Sequence, residues 1–270
     1  AGFFYTFNTM LQPIGFFDSG IGGTSIWKEV VQLLPNENTI YLADSLNAPY
    51  GEKSSEKIID LCIKNTEILL KQNCKIIVVA CNTATTNAID FLRNKYSVPF
   101  IGIEPAIKPA ALLSKTEAIG ILATKGTLSS ALFEKTTQEY AKHITTIEQD
   151  GEGLVQLIEA DKLHSQEVTQ LLEKYLKPML KFNIDHLVLG CTHYPYLIPQ
   201  IKKIVGKNVK IIDSGEAVAK QTKVILEKFK LINNSSNNNQ HHFYINTDDK
   251  ALRTIMKDSP QQIIIKRKQF

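Results

Sequence analysis

Short apolar runs alternate along the chain with longer amphipathic stretches, and this alternation limits the fold more than any other feature. The runs are rich in Ile, Val, Leu and Phe and end in polar or turn residues, which is typical of buried strands. They are Ile14–Phe17, Thr39–Ala43, Lys75–Ala80, Phe100–Ile103, Ala118–Leu122, His186–Gly190 and Lys210–Ile212. Between them, apolar residues spaced by three and four predict helices over Glu56–Lys71, Ser165–Lys181 and Ala217–Lys230. The pattern predicts an α/β fold with mostly parallel sheets flanked by helices.

Two pairs of segments in the sequence resemble each other. The stretch 75–83 is a buried strand that ends in a small residue and then Cys81, and the stretch 185–193 repeats this arrangement around Cys191. A second echo joins 16–20 to 211–215 through the shared letters Asp-Ser-Gly. Ligands of parallel sheets bind beyond the carboxyl ends of the strands. The echoes favour two similar lobes with an active-site cleft between them, although matches this short also arise by chance.

Composition removes several classes of protein. Hydrophobic residues make up 43% of the 270 residues and charged residues 21%, which excludes intrinsic disorder. No apolar run approaches the roughly 20 residues that a bilayer requires. Most of the net charge of +4 lies after residue 240, so nucleic-acid binding has little electrostatic basis, and we expect the tail Ile264–Phe270 to be a solvated basic end. The four cysteines form no C-x-x-C pair, which gives no zinc site and suits a reducing cytoplasm.

Cys81 and Cys191 differ from the other two cysteines. Both stand where an apolar run stops and polar residues begin, before a predicted helix start whose N–H groups and dipole would stabilise a thiolate. Cys62 lies on an apolar helix face and Cys74 at a strand entry, so we interpret both as core residues. One thiolate can remove a proton from carbon while a facing thiol supplies one from the other side, which inverts a stereocentre. Cys191 with His193 alone would instead suggest acyl transfer.

A glycine-rich loop, residues 17–25, follows the first strand and precedes a helix, and backbone N–H groups at such a turn bind anions. A dinucleotide site is one interpretation, with Asp44 near the place of a ribose-binding acid. However, Ser25 stands at the third glycine position, and Asp18 directly before the turn would oppose a pyrophosphate. No P-loop pattern occurs. A small carboxylate held by Ser19 and backbone groups fits the loop better, and Asp18 could then meet an ammonium group or simply cap the following helix.

At this point the motifs resemble those of a known family, the cofactor-independent glutamate racemases of the aspartate/glutamate racemase superfamily. The matching pieces are Phe17–Gly23, Asp44-Ser45 with Pro49-Tyr50-Gly51, Val79–Ala84, Leu189–Pro195 and Asp213-Ser214-Gly215. Their order and spacing match from about residue 14 to 230, and the Cys-Thr-His-Tyr-Pro segment is similar to the glutamate rather than the aspartate branch. One departure is Ala123, where the family usually has glycine.

The resemblance implies a role for each matched residue. Cys81 would take the proton from D-glutamate and Cys191 from L-glutamate, with Asp18 beside Cys81 and His193 beside Cys191. Substrate contacts are implied at Asp18, Ser19, Tyr50, Gly51, Asn82, Thr83, Thr127, Thr192 and His193. Glu159 matches an acidic position of the family within a stretch that diverges.

Structural alternatives stand beside these roles. Tyr50 after a proline is commonly a packing residue, and His193 could be a satisfied structural histidine. The other histidines without a partner pattern are interpreted as surface residues, namely His143, His164, His241 and His242.

We expect a first lobe of residues 14–103 and 213–270 and a second lobe of residues 104–212, with 1–13 as an N-terminal extension. The chain would cross between the lobes near Glu104 and near Asp213. Residues 233–240 are Asn and Ser apart from the last, which predicts a flexible surface loop before a strand near His242–Ile245.

The expected function is the racemisation of glutamate for peptidoglycan synthesis in a bacterial cytoplasm, without pyridoxal phosphate, metal or nucleotide. Glutamate is the expected partner, nucleic acid and membrane are not, and a homodimer is compatible with the sequence. Two alternatives remain: an aspartate racemase, and a nucleotide- or amino-acid-binding module whose cysteines are structural.

Overall fold

A computed structural model describes residues 7–235 and 239–270 of the chain and contains ten strands in these residues. They are β1 Ile14–Asp18, β2 Thr39–Ala43, β3 Ile76–Val79, β4 Phe100–Gly102, β5 Ala118–Ala123, β6 Thr145–Asp150, β7 His186–Gly190, β8 Lys210–Ile212, β9 His241–Ile245 and β10 Ile263–Arg267. Every pairing between them is parallel. The predicted α/β class with two helix-flanked, mostly parallel sheets is therefore confirmed.

The two sheets share one strand order. The first runs β10-β9-β2-β1-β3-β4 and the second β6-β5-β7-β8, so the order of β1–β4 is repeated by β5–β8. In this repeat β3 corresponds to β7, and these are the strands that lead into Cys81 and Cys191. The first sequence echo thus joins equivalent strands. The second echo does not mark equivalent strands, because it pairs β1, an interior strand of the first sheet, with β8, an edge strand of the second.

Twelve α-helices surround the sheets in the described residues. They are α1 Phe7–Met10, α2 Thr24–Leu33, α3 Ser55–Lys71, α4 Asn82–Lys95, α5 Ile107–Leu113, α6 Lys125–Leu128, α7 Ala131–Tyr140, α8 Leu154–Glu159, α9 Gln166–Leu180, α10 Ile198–Val205, α11 Gly215–Lys228 and α12 Lys250–Met256. The three helices predicted from spacing agree with α3, α9 and α11 to within about two residues. Ser54 and Ser165 cap α3 and α9 by accepting a backbone N–H three residues later.

Aromatic packing joins the C-terminal strands to the first sheet. The ring of Trp27 meets Phe243 edge to face, with centroids 4.9 Å apart, and its Nε1–H donates to Thr39 Oγ1 at 2.8 Å. The Thr39 hydroxyl also contacts His241 Nδ1 at 2.9 Å. The prediction that His241 lies on the surface is wrong, because its ring packs at 1% exposure against Trp27. The strand β9 to which it belongs is an interior strand of the sheet.

Two strands lie where none was predicted. The segment β6 carries the polar sequence TTIEQD at the edge of the second sheet, where half-exposed side chains need little hydrophobicity. The strand β10 occupies the predicted solvated tail, so its backbone is paired with β9 while its basic side chains stay exposed. Both are edge strands, and an apolar-run criterion misses such strands.

The chain passes between the sheets after β4 and again after β8, and the two passages lie side by side. The Ser214 hydroxyl donates to the Glu104 carbonyl, which joins them. The predicted lobe bounds stay a prediction, since strand membership alone leaves the linker residues unassigned.

At the chain ends, residues 1–6 of the predicted extension lie outside the described residues, and α1 follows them. The predicted flexible loop 233–240 includes residues 236–238, which also lie outside them. Asn233 at its start is buried and donates its N–H to Glu37. Within the described ranges no helix is long and apolar enough to cross a membrane.

Candidate active site

Cys81 and Cys191 line one small cavity between the two sheets, at the carboxyl ends of β3 and β7. Both are buried, with 4% and 6% of their surfaces exposed. The cavity is about 10 Å³ in volume, room for little more than one water molecule. Its walls bring together most of the predicted substrate contacts, namely Ser19, Tyr50, Gly51, Asn82, Thr83, Thr192 and His193. Asp18, Thr127 and Glu159 lie behind these walls and contact them.

Cys81 caps the N-terminus of α4. Its Sγ accepts the backbone N–H of Ala84 at 3.4 Å, and it lies 3.8 Å from the Ser19 hydroxyl, to which it donates. Burial raises the pKa of the Cys81 thiol well above its usual value, and the nearby charge of Asp18 raises it further. The predicted helix start after this cysteine is present, yet its N–H group does not offset the burial and the carboxylate. The Cys81 side therefore favours the thiol.

Asp18 occupies the floor of the first lobe's half of the site. It is fully buried, and its two oxygens accept the N–H groups of Ser19 at 2.7 Å and Gly23 at 2.6 Å. Burial raises the pKa of Asp18, while the charge of His193 and the Gly23 hydrogen bond oppose that rise. The Thr192 hydroxyl of the second lobe also points to Asp18, at 3.5 Å. Asp18 therefore fixes the glycine loop from inside and reaches across to the second lobe.

His193 links Cys191 to a carboxylate. Its Nδ1 lies 3.8 Å from Cys191 Sγ, and its Nε2 lies 2.6 Å from Glu159 Oε1. Burial lowers the pKa of His193, but the hydrogen bonds with Cys191 and Glu159 outweigh burial and raise it well above its usual value. The expected helix start after Cys191 is wrong: a turn comes first, then a short 3-10 helix, Tyr194–Leu197. The nearest polar neighbour of this thiol is therefore a histidine side chain rather than a helix N-terminus.

Glu159 is held by donors from the first lobe. The Ile21 N–H donates to Oε1 at 2.7 Å, and the Ser45 hydroxyl donates to Oε2 at 2.7 Å. With both oxygens already accepting, the proton in the short contact with His193 belongs to the ring nitrogen. The Gly22 N–H lies 3.2 Å from the same Nε2, but a protonated Nε2 has no lone pair with which to accept it. The geometry thus places a proton on His193 Nε2.

The glycine loop binds the protein's own side chains. The N–H groups of Ser19 and Gly23 face Asp18, and those of Ile21 and Gly22 face Glu159 and His193. The structure gives no support to the dinucleotide interpretation of this loop, because the N–H groups of Ser19, Ile21 and Gly23 are bound by Asp18 and Glu159. The interpretation of the loop as a carboxylate site stays a prediction, and in this structure its backbone donors are occupied by the protein's own carboxylates.

The loop glycines are required by contact between the lobes. A Cβ on Gly20 would overlap the Glu159 carboxylate, and one on Gly22 would overlap the His193 ring. These glycines let the Glu159 and His193 side chains of the second lobe pack directly on the backbone of the first.

The side-chain amide of Asn82 lines the cavity without making a hydrogen bond within the described part of the chain. It is 2% exposed, and neither its Nδ2 nor its Oδ1 has a partner among the described residues. A buried amide without partners costs free energy, which a ligand in the adjacent cavity would recover. Asn82 therefore marks where a polar substrate would bind.

Three hydroxyls close the cavity beside Asn82. Thr83 Oγ1 lies 2.8 Å from Thr124 Oγ1 and 3.2 Å from Thr127 Oγ1, and Thr124 lies 3.1 Å from Thr127. Thr83 belongs to the first sheet's side and the other two follow β5 of the second. Sequence reasoning missed Thr124, although it precedes Thr127 by one helical turn. The trio can turn its protons toward a carboxylate when one is present.

Tyr50 and Gly51 divide their roles. The Tyr50 hydroxyl donates to Asp44 Oδ2 at 2.6 Å, so its polar end serves a structural contact rather than the cavity. Gly51 faces the second lobe, where a Cβ added to Gly126 would come within 2.9 Å of the Gly51 Cα. The two lobes are therefore in contact here through the backbones of Gly51 and Gly126.

A larger cavity of about 740 Å³ lies outside this contact and shares Pro49, Gly51, Thr124 and Val155 with the inner one. It is spanned by the Gln156 side chain, which donates to Glu52 at 2.6 Å. The inner cavity is closed from the outer one by the lobes' own contacts. In the described part of the chain no three His, Cys, Asp or Glu side chains are grouped to hold a metal ion.

A model of the Asp/Glu/hydantoin racemase family matches residues 14–222. The chain is 46% identical over 222 residues to a glutamate racemase of Herpetosiphon aurantiacus, covering 82% of this chain and 87% of that protein. Its fold is similar to Francisella tularensis glutamate racemase in complex with D-glutamate, with a TM-score of 0.82, 29% identity, and coverage of 96% and 98%. It is equally similar to Escherichia coli glutamate racemase in complex with L-glutamate and the activator UDP-MurNAc-Ala, with a TM-score of 0.83, 31% identity, and coverage of 95% and 98%.

The chain therefore belongs to the Asp/Glu/hydantoin racemase family, a family of isomerases. Within that family, the relatives it matches here are glutamate racemases.

Proposed function

We propose that this chain interconverts L- and D-glutamate by a two-thiol mechanism, with Cys81 and Cys191 as the acid/base pair. The observation that carries the proposal is the placement of both sulfurs on one closed cavity, at the ends of equivalent strands β3 and β7. A proton can then leave one face of a substrate carbon and another can arrive at the opposite face. Acyl transfer needs only one of these thiols and leaves the second unexplained.

In the proposed reaction, one cysteine thiolate removes the α-proton of glutamate and the other thiol delivers a proton to the opposite face. Following the family resemblance, Cys81 acts on D-glutamate and Cys191 on L-glutamate. After one turnover the two sulfurs have exchanged protonation states, and the enzyme is poised for the reverse direction. The pair thus behaves as one titrating unit with a single shared deprotonation.

The accessory residues make the two sides unequal before substrate binds. Asp18 disfavours a thiolate at Cys81, whereas protonated His193, held by Glu159, pairs with a thiolate at Cys191. Glu159, which the sequence matched only loosely, is assigned to the catalytic group through His193.

Substrate contacts are proposed from the cavity wall. Asn82, with its unpartnered amide, and the hydroxyls of Ser19, Thr83, Thr124 and Thr192 supply hydrogen bonds to the two carboxylates. Thr127 lies behind this wall and joins them through its contacts with Thr83 and Thr124. Gly51 contributes backbone, and Tyr50 holds that backbone in place. Asp18 lies behind this wall, and it would supply the negative charge that meets the substrate ammonium once the lobes separate.

Glutamate is far larger than the inner cavity, so we propose that the lobes separate for binding. The contacts that must open face the outer cavity, namely the Gly51–Gly126 backbone contact and the Glu52–Gln156 hydrogen bond. Closure afterwards excludes water from the carbanion-like transition state.

We propose that the reaction needs no pyridoxal phosphate, metal or nucleotide. Two thiols complete the proton transfer in principle, and the loop that could cradle a phosphate has its N–H groups bound by Asp18 and Glu159. A supply of D-glutamate for peptidoglycan in the bacterial cytoplasm is the role that the family implies, and the four free cysteines suit that compartment.

The decisive experiment follows the circular dichroism of L-glutamate with purified protein, without added pyridoxal phosphate or metal. We expect the signal to decay to zero, with deuterium entering the α-position in D₂O. Parallel assays with L-aspartate and titration with NAD address the alternatives. Faster turnover of aspartate would make the chain an aspartate racemase, and NAD binding without turnover would make it a binding module.

A second assay isolates each thiol. With 3-chloroglutamate, one thiolate removes the α-proton and chloride leaves from the adjacent carbon. The resulting enamine becomes an imine, and water hydrolyses the imine to 2-oxoglutarate and ammonia. This elimination needs one base and no acid on the opposite face, so L- and D-configured substrates report on Cys191 and Cys81 separately.

A further inference from the structure

A segment with one fully buried side chain, that of Tyr50, carries two of the contacts described above. Residues 45–51 run from the end of β2 to Gly51, and Leu46 within it is 63% exposed. At one end the Ser45 hydroxyl donates to Glu159, and at the other Gly51 lines the inner cavity. The buried Tyr50 ring anchors one end of the segment in the core, and the rest of the segment is held by polar contacts.

Asp44, fully buried at the start of the segment, binds it at two points. Its Oδ1 accepts the Asn47 side-chain amide at 2.9 Å, and its Oδ2 accepts the Tyr50 hydroxyl at 2.6 Å. The segment is thus folded over one carboxylate. Hydrogen bonds to a charged acceptor are about twice as strong as those between neutral groups.

Further donors hold the carboxylate itself. Lys64 Nζ lies 3.3 Å from both oxygens, Asn65 Nδ2 lies 3.5 Å from Oδ2, and Asn246 Nδ2 lies 2.6 Å from Oδ1. The Asn246 side chain also accepts the Leu46 N–H at 2.8 Å, which fixes its amide group toward Asp44. Asn246 follows β9, beyond the residues 14–222 that the family model matches.

We infer that Asp44 is a positioning residue for the racemisation: it holds Ser45 against Glu159 and Gly51 against the inner cavity, with Asn246 of the C-terminal segment as its support. The Ser45 link leads through Glu159 and His193 to Cys191, whereas the Gly51 link serves substrate binding in general. This inference rests on the proposed function. Every group around Asp44 is a donor, so an amide at this position has to turn its own NH₂ group toward a donor.

The test uses Asp44→Asn in the full-length chain, with Glu37→Gln as matched control. Glu37 is also a buried carboxylate with a lysine partner, Lys75 at 2.5 Å, but it precedes β2 whereas Asp44 follows it. We expect Asp44→Asn to lower kcat/KM for glutamate about 10- to 100-fold, the equivalent of losing hydrogen bonds to a charged group. Glu37→Gln should lower the melting temperature and leave kcat/KM of the folded enzyme within about twofold.

The readout that separates positioning from stability is the ratio of elimination rates for L- and D-3-chloroglutamate. A smaller folded fraction lowers both rates by the same factor and leaves their ratio unchanged. Asp44→Asn should reduce the L-rate more than the D-rate, because the Ser45 link reaches Cys191. Ser45→Ala should reproduce this change of ratio, and adding Ser45→Ala to Asp44→Asn should change the ratio little further.

Tyr50→Phe provides a milder variant if Asp44→Asn folds poorly, since it removes one donor and retains the carboxylate. It should raise KM with a smaller change of the L/D ratio. If the wild type racemises glutamate but Asp44→Asn matches Glu37→Gln in kcat/KM and keeps the wild-type L/D ratio, the inference is overturned. If the wild type does not racemise glutamate, the proposed function itself has failed.

Discussion

Glu159 belongs to the second lobe, yet its Oε1 accepts the backbone N–H of Ile21 in the first lobe at 2.7 Å. The same oxygen contacts His193 at 2.6 Å, so one carboxylate atom joins lobe contact to the charge state of the catalytic histidine. The lobe separation proposed for substrate binding would remove the Ile21 donor and the Ser45 donor together. Closure of the cleft would therefore restore both first-lobe donors to Glu159 at the same time.

Replacing either catalytic cysteine should abolish racemisation and spare one half-reaction. Cys81→Ser and Cys191→Ser each lose the acid or the base that one direction requires, so neither should exchange the stereocentre. Cys81→Ser should still eliminate chloride from L-3-chloroglutamate, and Cys191→Ser from the D-form. The buried Cys62→Ser is the control and should retain racemisation, measured by circular dichroism. Near wild-type racemisation by Cys81→Ser in deuterated buffer would show that the two-thiol mechanism is wrong.

Glu159→Gln should weaken catalysis and change how stability depends on pH. The neutral amide removes one of the hydrogen bonds that raise the pKa of His193, so kcat/KM should fall about 10- to 100-fold. Because the folded pKa lies above the ordinary 6.5, protonated His193 stabilises the fold fully below pH 6.5 and less as pH rises through the folded value. The variant should flatten that decline in melting temperature.

The exposed Glu173, paired with Lys177, offers the matched control for this experiment. Glu173→Gln should keep both the activity and the pH profile of the melting temperature. An unchanged profile in Glu159→Gln would mean that His193 does not hold its proton through this carboxylate.

Gly22→Ala should inactivate the enzyme even though the added group is a single methyl. The new Cβ would overlap the His193 ring, which cannot retreat because Glu159 and Cys191 hold both of its nitrogens. We expect kcat/KM to fall at least about 100-fold, as is usual when a catalytic group is displaced by about an ångström. Gly215→Ala is the comparison, since its Cβ would meet only side-chain atoms of Glu29 and Asp213, at 3.0 and 3.1 Å, and neither residue lines the inner cavity. Equal activity of the two variants would contradict the seating of His193 on Gly22.

Asp18→Asn should move the pH dependence of the Cys81 half-reaction to lower pH. Burial raises the pKa of Cys81 first and the Asp18 charge second, so removing that charge lowers the pKa and the thiolate forms at lower pH. The measurement is the pH profile of elimination from D-3-chloroglutamate, whose rising limb should shift downward while the maximum rate also falls. Asp185→Asn, at the opposite end of β7, should leave the limb in place.

Apolar runs located strands whose side chains are buried on both faces, because such strands have no polar positions to obscure them. They missed β6, whose side chains are exposed or half-buried, and β10, where exposed Lys266 and Arg267 made a paired strand resemble a solvated tail. The sequence similarity between residues 75–83 and 185–193 correctly predicted that β3 and β7 are equivalent strands. Sequence similarity failed for β1 and β8, because Asp-Ser-Gly is short and common at turns.

Site residues were predictable from the sequence where the residue type and its place in the pattern together indicate a chemical role. Cysteines at strand ends and an Asp beside a glycine turn carry that signal. Ser45 and Thr124 do not, since their roles depend on which hydroxyl faces which neighbour across the cleft. Asn246 is further removed still, because its contact with Asp44 joins residues 202 positions apart along the chain.

The repeated strand order places the two sulfurs at the ends of equivalent strands, β3 and β7. The two enantiomers of glutamate have equal free energies in water. For any racemase the ratio of kcat to KM must then be the same in both directions, whatever the accessory residues do. Asp18 and His193 cannot favour one enantiomer in the net flux at low concentration. The difference between these two residues can make kcat and KM differ between the enantiomers only by the same factor. L- and D-glutamate therefore differ in the concentration at which they saturate the enzyme and in the maximal rate, and not in kcat/KM.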